Sequence, residues 1–347
     1  MTTTAILVGL HDSILRLDSS NGYEKIYESL KGCNPQKIAF DPLNPDRAYC
    51  GTFGDGLWKT EDGGHTWNSV GKGLISSSYV MSVSVSPLDR ENNNDNKFSK
   101  VYAGTEPSAL YISDDGGNSW EKIDALNNLP SSTSWSFPPR PWTHHVRWIE
   151  PDANNPDYVF VAIEAGALVK SFDGGRTWID RVKHGPYDSH TLYTHPKAPK
   201  RLYSSAGDGY FESFDYGESW NTPTEGLNHH YLYGLAVDSG NPQTVIVSAA
   251  VGPATAYSVE DAESFLYRRE EDGKRWNTIS NGFPKPNGTT ITILASNPKS
   301  EGEFYAVNNR GLFTSTDSGI SWRRLDIPWP KEYVLKPPSA LAVCENK

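Results

Sequence analysis

Short apolar stretches of strand length recur along this chain in a fixed order, each broken by a polar turn. An apolar segment, a turn carrying Pro or Asn and a second segment ending in small residues make up KIAFDPLNPDRAYCGTF (37–53), HVRWIEPDANNPDYVFVAI (145–163) and HTLYTHPKAPKRLYSSA (190–206). A short third strand, a tight turn and a fourth strand complete each unit, so the pattern predicts four-stranded antiparallel sheets repeated along the chain. The tight turn is a near-identical octapeptide: TEDGGHTW (60–67), SDDGGNSW (113–120), SFDGGRTW (171–178), SFDYGESW (213–220), the decayed REEDGKRW (269–276) and STDSGISW (315–322). Its tryptophans return every 42–58 residues. That spacing is too long for leucine-rich or ankyrin units and right for four strands per repeat.

The two ends of the chain supply one more unit. Residues 5–29 hold three strands without a leading one, and ALAVCE (340–345) is a strand without a unit. Pairing them closes a ring and removes the open sheet edge along which chains aggregate. The expected fold is an all-β, seven-bladed β-propeller with four antiparallel strands per blade, residues 1–347 forming a single domain. Blades share their cores with neighbouring sheets, so a length above the usual single-domain size does not imply two domains.

The octapeptide skeleton is Ser/Thr-x-Asp-x-Gly-x-x-Trp. Its Asp can fold back onto backbone N–H groups, its Gly accepts a positive φ that closes a hairpin, and its Trp drops into the core. Identical reactive centres in every blade would be redundant, so Asp62, Asp115, Asp173, Asp215 and Asp317 read as turn locks rather than catalytic acids. This motif resembles the Asp-box (BNR) repeat of the sialidase-like β-propeller superfamily, across essentially the whole chain. That superfamily includes sialidases, xyloglucan-cleaving glycosidases, sortilin-type receptors and photosystem II assembly factors, so the resemblance implies a fold and leaves the reaction open.

Charge narrows the partners. A net charge of −10, with no Lys/Arg cluster, argues against a nucleic-acid or anionic-membrane partner. The start of the chain has no positive n-region and only the short apolar run AILVGL, which points to a cytoplasmic protein without a secretory signal or membrane span. Cys33, Cys50 and Cys344 lack metal-site or disulfide spacing and read as reduced thiols.

Strand order decides where function sits. The octapeptides join third and fourth strands and mark one face of the disc; loops joining second to third strands, and fourth strands to the next blade, lie on the opposite face. The resemblance places an active site on that opposite mouth. Three long segments map to it, 121–144, 250–267 and 323–339, while the polar insert 88–100 maps to the other face. Long loops on a rigid scaffold carry function, and their Trp135, Trp142, Arg140 and Trp329 are expected to form ordered walls that bind a glycan or other small molecule.

Histidines gather at the same mouth. Counting blades from the first complete unit, His144 and His145 open the inner strand of blade 3, His190 holds the matching place in blade 4, and His229 and His230 precede the inner strand of blade 5. His184 and Asp188 lie in the loop before His190, His11 sits in the closing blade, and Glu106 and Glu164 hold comparable positions in blades 2 and 3. Adjacent strand residues point to opposite sides, so only one of His144 and His145 faces inward; counting back from Pro151 and Pro196 selects His145, and the same count puts Tyr233 in the blade 5 slot. His145, His190, His230 and Glu164 form a candidate set for one divalent metal ion, with Lewis-acid or activated-water chemistry. Without metal, Glu164, Glu106, His145 and His190 could perform general acid–base catalysis as a hydrolase or lyase. Glu106 and Glu164 could also act as the two carboxylates of a metal-free glycosidase, with the tryptophans stacking on sugar rings. The arginines available for a sialidase-type carboxylate clamp are Arg140, Arg181 and Arg310, and the Phe/Tyr-Arg-x-Pro segment of sialidases is absent. A non-catalytic scaffold that binds a partner protein is the alternative of a different class.

Overall fold

The computed structural model describes residues 3–23, 25–88, 98–269 and 273–346. Seven antiparallel sheets surround a common axis, each led by an inner strand: Pro35–Asp41, Val80–Val85, Val146–Pro151, Ser189–Thr194, Tyr231–Val237, Ile293–Ser296 and Ala340–Asn346 in blades 1 to 7. Each inner strand packs against those of the blades beside it. The ring closes as a seven-bladed β-propeller. Ala340–Asn346 pairs along its length with Thr3–Gly9, Asn346 opposite Thr3 and Ala340 opposite Gly9, and leads the strands Ile14–Asp18 and Ile26–Ser29. Ile6, Leu7 and Val8 at this seam are fully buried, so closure adds to the apolar core as well as satisfying a sheet edge. In blades 3 and 4 the fourth strand shrinks to single bridges, Lys170 to Ile179 and Glu212 to Asn221. No helix among the described residues is long and apolar enough to cross a membrane.

The octapeptides fold as hydrogen-bonded hairpins. In SFDYGESW the Ser213 hydroxyl donates to Asp215 Oδ1 at 2.7 Å and accepts from the Gly217 N–H at 2.7 Å. Asp215 Oδ1 accepts the Ser219 N–H at 2.9 Å, and Oδ2 accepts the Ser219 hydroxyl at 2.6 Å. Tyr216 and Gly217 both take positive φ, 59° and 78°, which is where the glycine is needed. Asp62, Asp115, Asp173 and Asp317 make the same contacts with their own hydroxyls and backbone N–H groups. The tryptophans are less uniform than expected: Trp276 and Trp322 are buried, whereas Trp67, Trp120, Trp178 and Trp220 are half-buried. The decayed fifth octapeptide and the insert 88–100 fall partly outside the described residues, at 270–272 and 89–97.

Replacing Asp215 by Ala removes three hydrogen bonds from one hairpin and touches nothing at the opposite mouth. It should cost about 1–2 kcal/mol in urea unfolding and leave ligand binding at the mouth unchanged. A pH series tests the shared design. Burial opposes charge on Asp62 and Asp215, but hydrogen bonds from Thr66 and Thr60, and from Ser219 and Ser213, outweigh it and hold both carboxyls down to about 2. These folded-state values lie below the ordinary Asp value of 3.8. The stability they contribute is present above that value and is lost as pH falls toward about 2. Thermal melts should therefore shift downward steeply between about pH 4 and 2.

Candidate functional site

Opposite the octapeptides the mouth holds a cavity of about 630 Å³. Glu164 follows the second strand of blade 3, Val159–Ile163, and its N–H donates to the carbonyl of His145 at 3.4 Å, which fixes the two residues side by side. Asp188 stands just before the inner strand of blade 4; its Oδ1 accepts the Ala165 N–H at 2.9 Å and ties blade 4 to blade 3. These short links, one within blade 3 and one between blades 3 and 4, set the carboxylates without help from the long loops.

One oxygen of Glu164 is heavily engaged. Oε2 lies 2.7 Å from His145 Nε2 and 3.4 Å from Arg147 Nε, while Oε1 faces His190 Nε2 at 3.6 Å. Burial disfavours charge on Glu164, yet His145, His190 and Arg147 together outweigh it and hold the carboxyl down to about 2. His145 Nδ1 lies 3.3 Å from Glu106 Oε2, so the buried imidazole stands between two carboxylates. Burial lowers its affinity for a proton, but the contacts with Glu106 and Glu164 prevail and raise its pKa above the ordinary imidazole value. Glu106 is in turn gripped by Arg140 through two bonds, Nε to Oε1 at 2.9 Å and Nη2 to Oε2 at 2.6 Å. Arg147 Nη2 donates to the Tyr233 hydroxyl at 2.5 Å, and the Tyr231 and Tyr257 hydroxyls lie 2.9 Å apart.

Asp188 has the opposite character. Burial raises its pKa; His190 works against that rise and the Glu164 anion reinforces it, leaving the carboxyl above the ordinary Asp value. Asp188, Glu164 and His190 each bring one ligand-capable atom within 4.8 Å of the others. His190 is fully buried; its Nδ1 lies 2.5 Å from the Leu232 carbonyl and so must donate, while Nε2 has no hydrogen-bond partner. In the neutral ring Nε2 then carries a lone pair aimed between two carboxylates, 3.8 Å from Asp188 Oδ2.

The structure brings Glu164, Glu106, His145, His190 and Arg140 together and separates the rest. His230 is exposed and outside the cluster, because blade 5 presents Tyr231 and Tyr233 to the cavity instead. Trp135 is no wall of the mouth. The loop folds back through short 3-10 turns at Asp124–Asn128 and Pro130–Ser134, and Trp135 is buried in the core of blades 2 and 3 with its indole N–H on Ser131 Oγ. Trp329 packs against Tyr333 in the core of blades 6 and 7 and donates to the Asn309 carbonyl. Trp142 is 81% exposed and lies outside the cavity lining. The aromatic walls are Phe53, Phe137, Tyr231, Tyr233 and Tyr257. The segment 250–267 contributes through Pro253 and Tyr257 of a short helix, and its last residues already belong to the strand Ser264–Arg269. Glu106 does not line the cavity, and His145 stands between it and Glu164, so these two do not face each other across an open cleft. His144 packs edge-on against Trp135, His11 and His184 are exposed, and Arg181 and Arg310 are not among the lining residues. Missed at the sequence level were Arg147, Asp188 as an acid, Tyr231 and Tyr257. The first three each lie two residues from a residue already singled out.

No family model matches the chain. Among curated proteins, the xyloglucanase Xgh74A of Acetivibrio thermocellus is 25% identical over 291 residues, covering 70% of this chain and 32% of its own length. A xyloglucanase of Paenibacillus sp is 27% identical over 290 residues, covering 71% of this chain and 27% of its own. The chain thus spans about a third or less of the length of these relatives. Among solved structures, the GH74 enzyme of Niastella koreensis superposes with a TM-score of 0.68 at 17% identity, covering 92% of this chain and 51% of that one. YCF48 bound to D1 peptide superposes with a TM-score of 0.56 at 18% identity, covering 84% and 81%. At these identities the structural likeness establishes the propeller fold alone.

Proposed function

We propose that the mouth is the active site of a retaining glycoside hydrolase, with Glu164 as nucleophile and Asp188 as general acid–base. The observation that carries this reading is the pair itself: two carboxylates in one cavity, one held ionised by cations and the other shifted by burial toward its protonated form. One oxygen of each lies within 4.8 Å of one of the other, which supports the close pair of retaining enzymes, with carboxyl groups about 5–5.5 Å apart. His145 and Arg147 hold Oε2, leaving Oε1 to attack the anomeric carbon as the Asp188 proton passes to the departing glycosidic oxygen. Water then gives its proton to Asp188 and its oxygen to the anomeric carbon, which releases Glu164. The tyrosine and phenylalanine walls supply flat surfaces for sugar rings, and similarity to xyloglucanases supports a β-glucan-type oligosaccharide as the substrate class.

Incubation with xyloglucan oligosaccharides, followed by proton NMR of the first-formed anomer, tests it. Net retention is expected; inversion, or no turnover across a panel of glucan and xyloglucan oligosaccharides, overturns it. A second reading is favoured by the unpartnered Nε2 of His190: Glu164, Asp188 and His190 would hold a divalent ion, a different set from the histidine-rich one expected from sequence. In that case titration with Mn²⁺ or Zn²⁺ gives one binding event in calorimetry, lost in His190→Ala, and chelation abolishes turnover. Retention of activity in EDTA removes this reading and leaves the first.

A further inference from the structure

The inner strands enclose a second cavity of about 450 Å³, reached from the face that carries the octapeptides. Phe40, Pro42, Val85, Pro298, Val343 and Cys344 surround it toward that face, and Lys37, Trp148, Glu150 and Tyr193 stand deeper along the axis. A narrower space lined by Lys37, Arg147, Tyr193 and Tyr233 lies between this cavity and the mouth. The hydrolytic reading uses none of the deep polar groups except Arg147 and Tyr233.

Lys37 is the odd side chain here. Its Nζ lies 3.1 Å from the centroid of the Trp148 ring, and among the described residues it forms no ion pair and no hydrogen bond. We propose that Lys37 is an amine nucleophile at the floor of this axial cavity and that the cavity takes small apolar aldehydes, which it holds as imines. The walls set the ligand class: Ala39, Val83, Ile149, Leu341 and Val343 are apolar, and the rim cation Lys299 is engaged by the Glu345 carbonyl at 3.1 Å. An anionic aldehyde therefore finds no ready partner there.

Burial and a neighbouring cation favour the neutral amine that such chemistry needs, against the Trp148 ring face, which attracts the ammonium. Burial and then the nearby Arg147 charge bring the Lys37 pKa down to about 7, with Glu150 opposing. Glu150 is itself pushed up to about 7 by burial, against hydrogen bonds from the Thr194 N–H at 2.9 Å and Trp148 Nε1 at 3.2 Å. Tyr193 is raised by burial and stays a neutral phenol, and Cys344 near the rim is pushed up to about 11. Lys37 Nζ attacks the carbonyl carbon, the C=O π pair moves to oxygen, oxygen takes the Glu150 proton, and the Glu150 carboxylate takes one proton from the nitrogen. Loss of the hydroxyl as water, with a proton returned through Glu150, leaves the C=N bond; one aldehyde and one amine give one imine and one water.

The full chain is incubated at pH 7 with one equivalent of hexanal and cyanoborohydride, and adducts are located by peptide mass mapping. Lys37 should carry the dominant adduct, labelled at least about tenfold faster than any surface lysine, since an ordinary lysine with a pKa of about 10.4 is almost wholly charged there. Its labelling should reach half-maximum near pH 7, where surface lysines still react slowly. Lys37→Met should abolish the dominant adduct while melting and circular dichroism stay native, and Glu150→Gln should slow labelling of an intact Lys37. Adducts spread over surface lysines, or an unlabelled Lys37 in the folded wild type, overturn the proposal without needing any variant. Neither result depends on whether the mouth hydrolyses glycosides.

Discussion

Glu164→Gln should eliminate turnover of oligosaccharides, by about 10³-fold or more in kcat, while leaving the fold and ligand affinity largely intact. The amide fills the same space, so the loss reports the missing nucleophile. It does leave His145 and Arg147 facing a neutral group, and the His145 pKa, raised in the wild type by Glu106 and Glu164, should fall when one of those two anions is removed. An NMR titration of the imidazole checks that shift. A truncated variant makes the assignment sharper: Glu164→Ala opens room beside Oε1's former position, and added azide should restore turnover by direct displacement, giving a glycosyl azide of inverted configuration. A Glu164→Gln protein with wild-type kcat would end the nucleophile assignment, and an azide product of retained configuration would move the role to another residue.

Much of the ring was legible because its signals are local and periodic. The octapeptide needs a hydroxyl, a carboxylate and a residue of positive φ at fixed offsets, and the hairpins at Asp62, Asp115, Asp173, Asp215 and Asp317 realise that chemistry within single turns. The closing strand was visible as an apolar segment without a partner, and it pairs where the missing edge demanded it. Strand parity chose His145 over His144 for the same reason, since alternation of side chains is a property of one strand. It was applied too narrowly: stepping two residues from His145 gives Arg147, from His190 gives Asp188 and from Tyr233 gives Tyr231.

Loop contacts were not legible. Trp135 and Trp142 sit seven residues apart in one aromatic, proline-rich segment, yet one is buried between blades and the other projects into solvent. Nothing periodic separates them; the difference arises where the 3-10 turns bring Leu126, Leu129 and Trp135 onto Ile163 and Ala167. Burial of an indole is decided by that tertiary contact, which composition does not encode. His230 stays in the solvent-exposed approach to its strand, Tyr231–Val237, while Tyr231 and Tyr233 take the places that line the cavity.

Asp188→Asn should lower kcat/KM by about 10²–10⁴-fold for oligosaccharides, with the loss growing as the leaving group becomes a weaker acid. A dinitrophenyl glycoside needs no proton on its departing oxygen, so its glycosylation step should be nearly unaffected and the glycosyl-enzyme should accumulate, because the same carboxylate is then missing as the base for water. Azide, which needs no base, should release that intermediate as a glycosyl azide of retained configuration, the opposite outcome from Glu164→Ala. The pH profile carries a second signature. The acid must be protonated, and burial together with the Glu164 anion raises its pKa above the ordinary Asp value. Activity should therefore fall as pH rises through that elevated value. Glu164, held down to about 2, sets no limb in the working range. In Asp188→Asn the descending limb should vanish from the residual activity on oligosaccharides, whose leaving group needs the proton. A limb that persists unchanged would assign the proton to another group, and His145, whose pKa is raised between its two carboxylates, would be the next to replace.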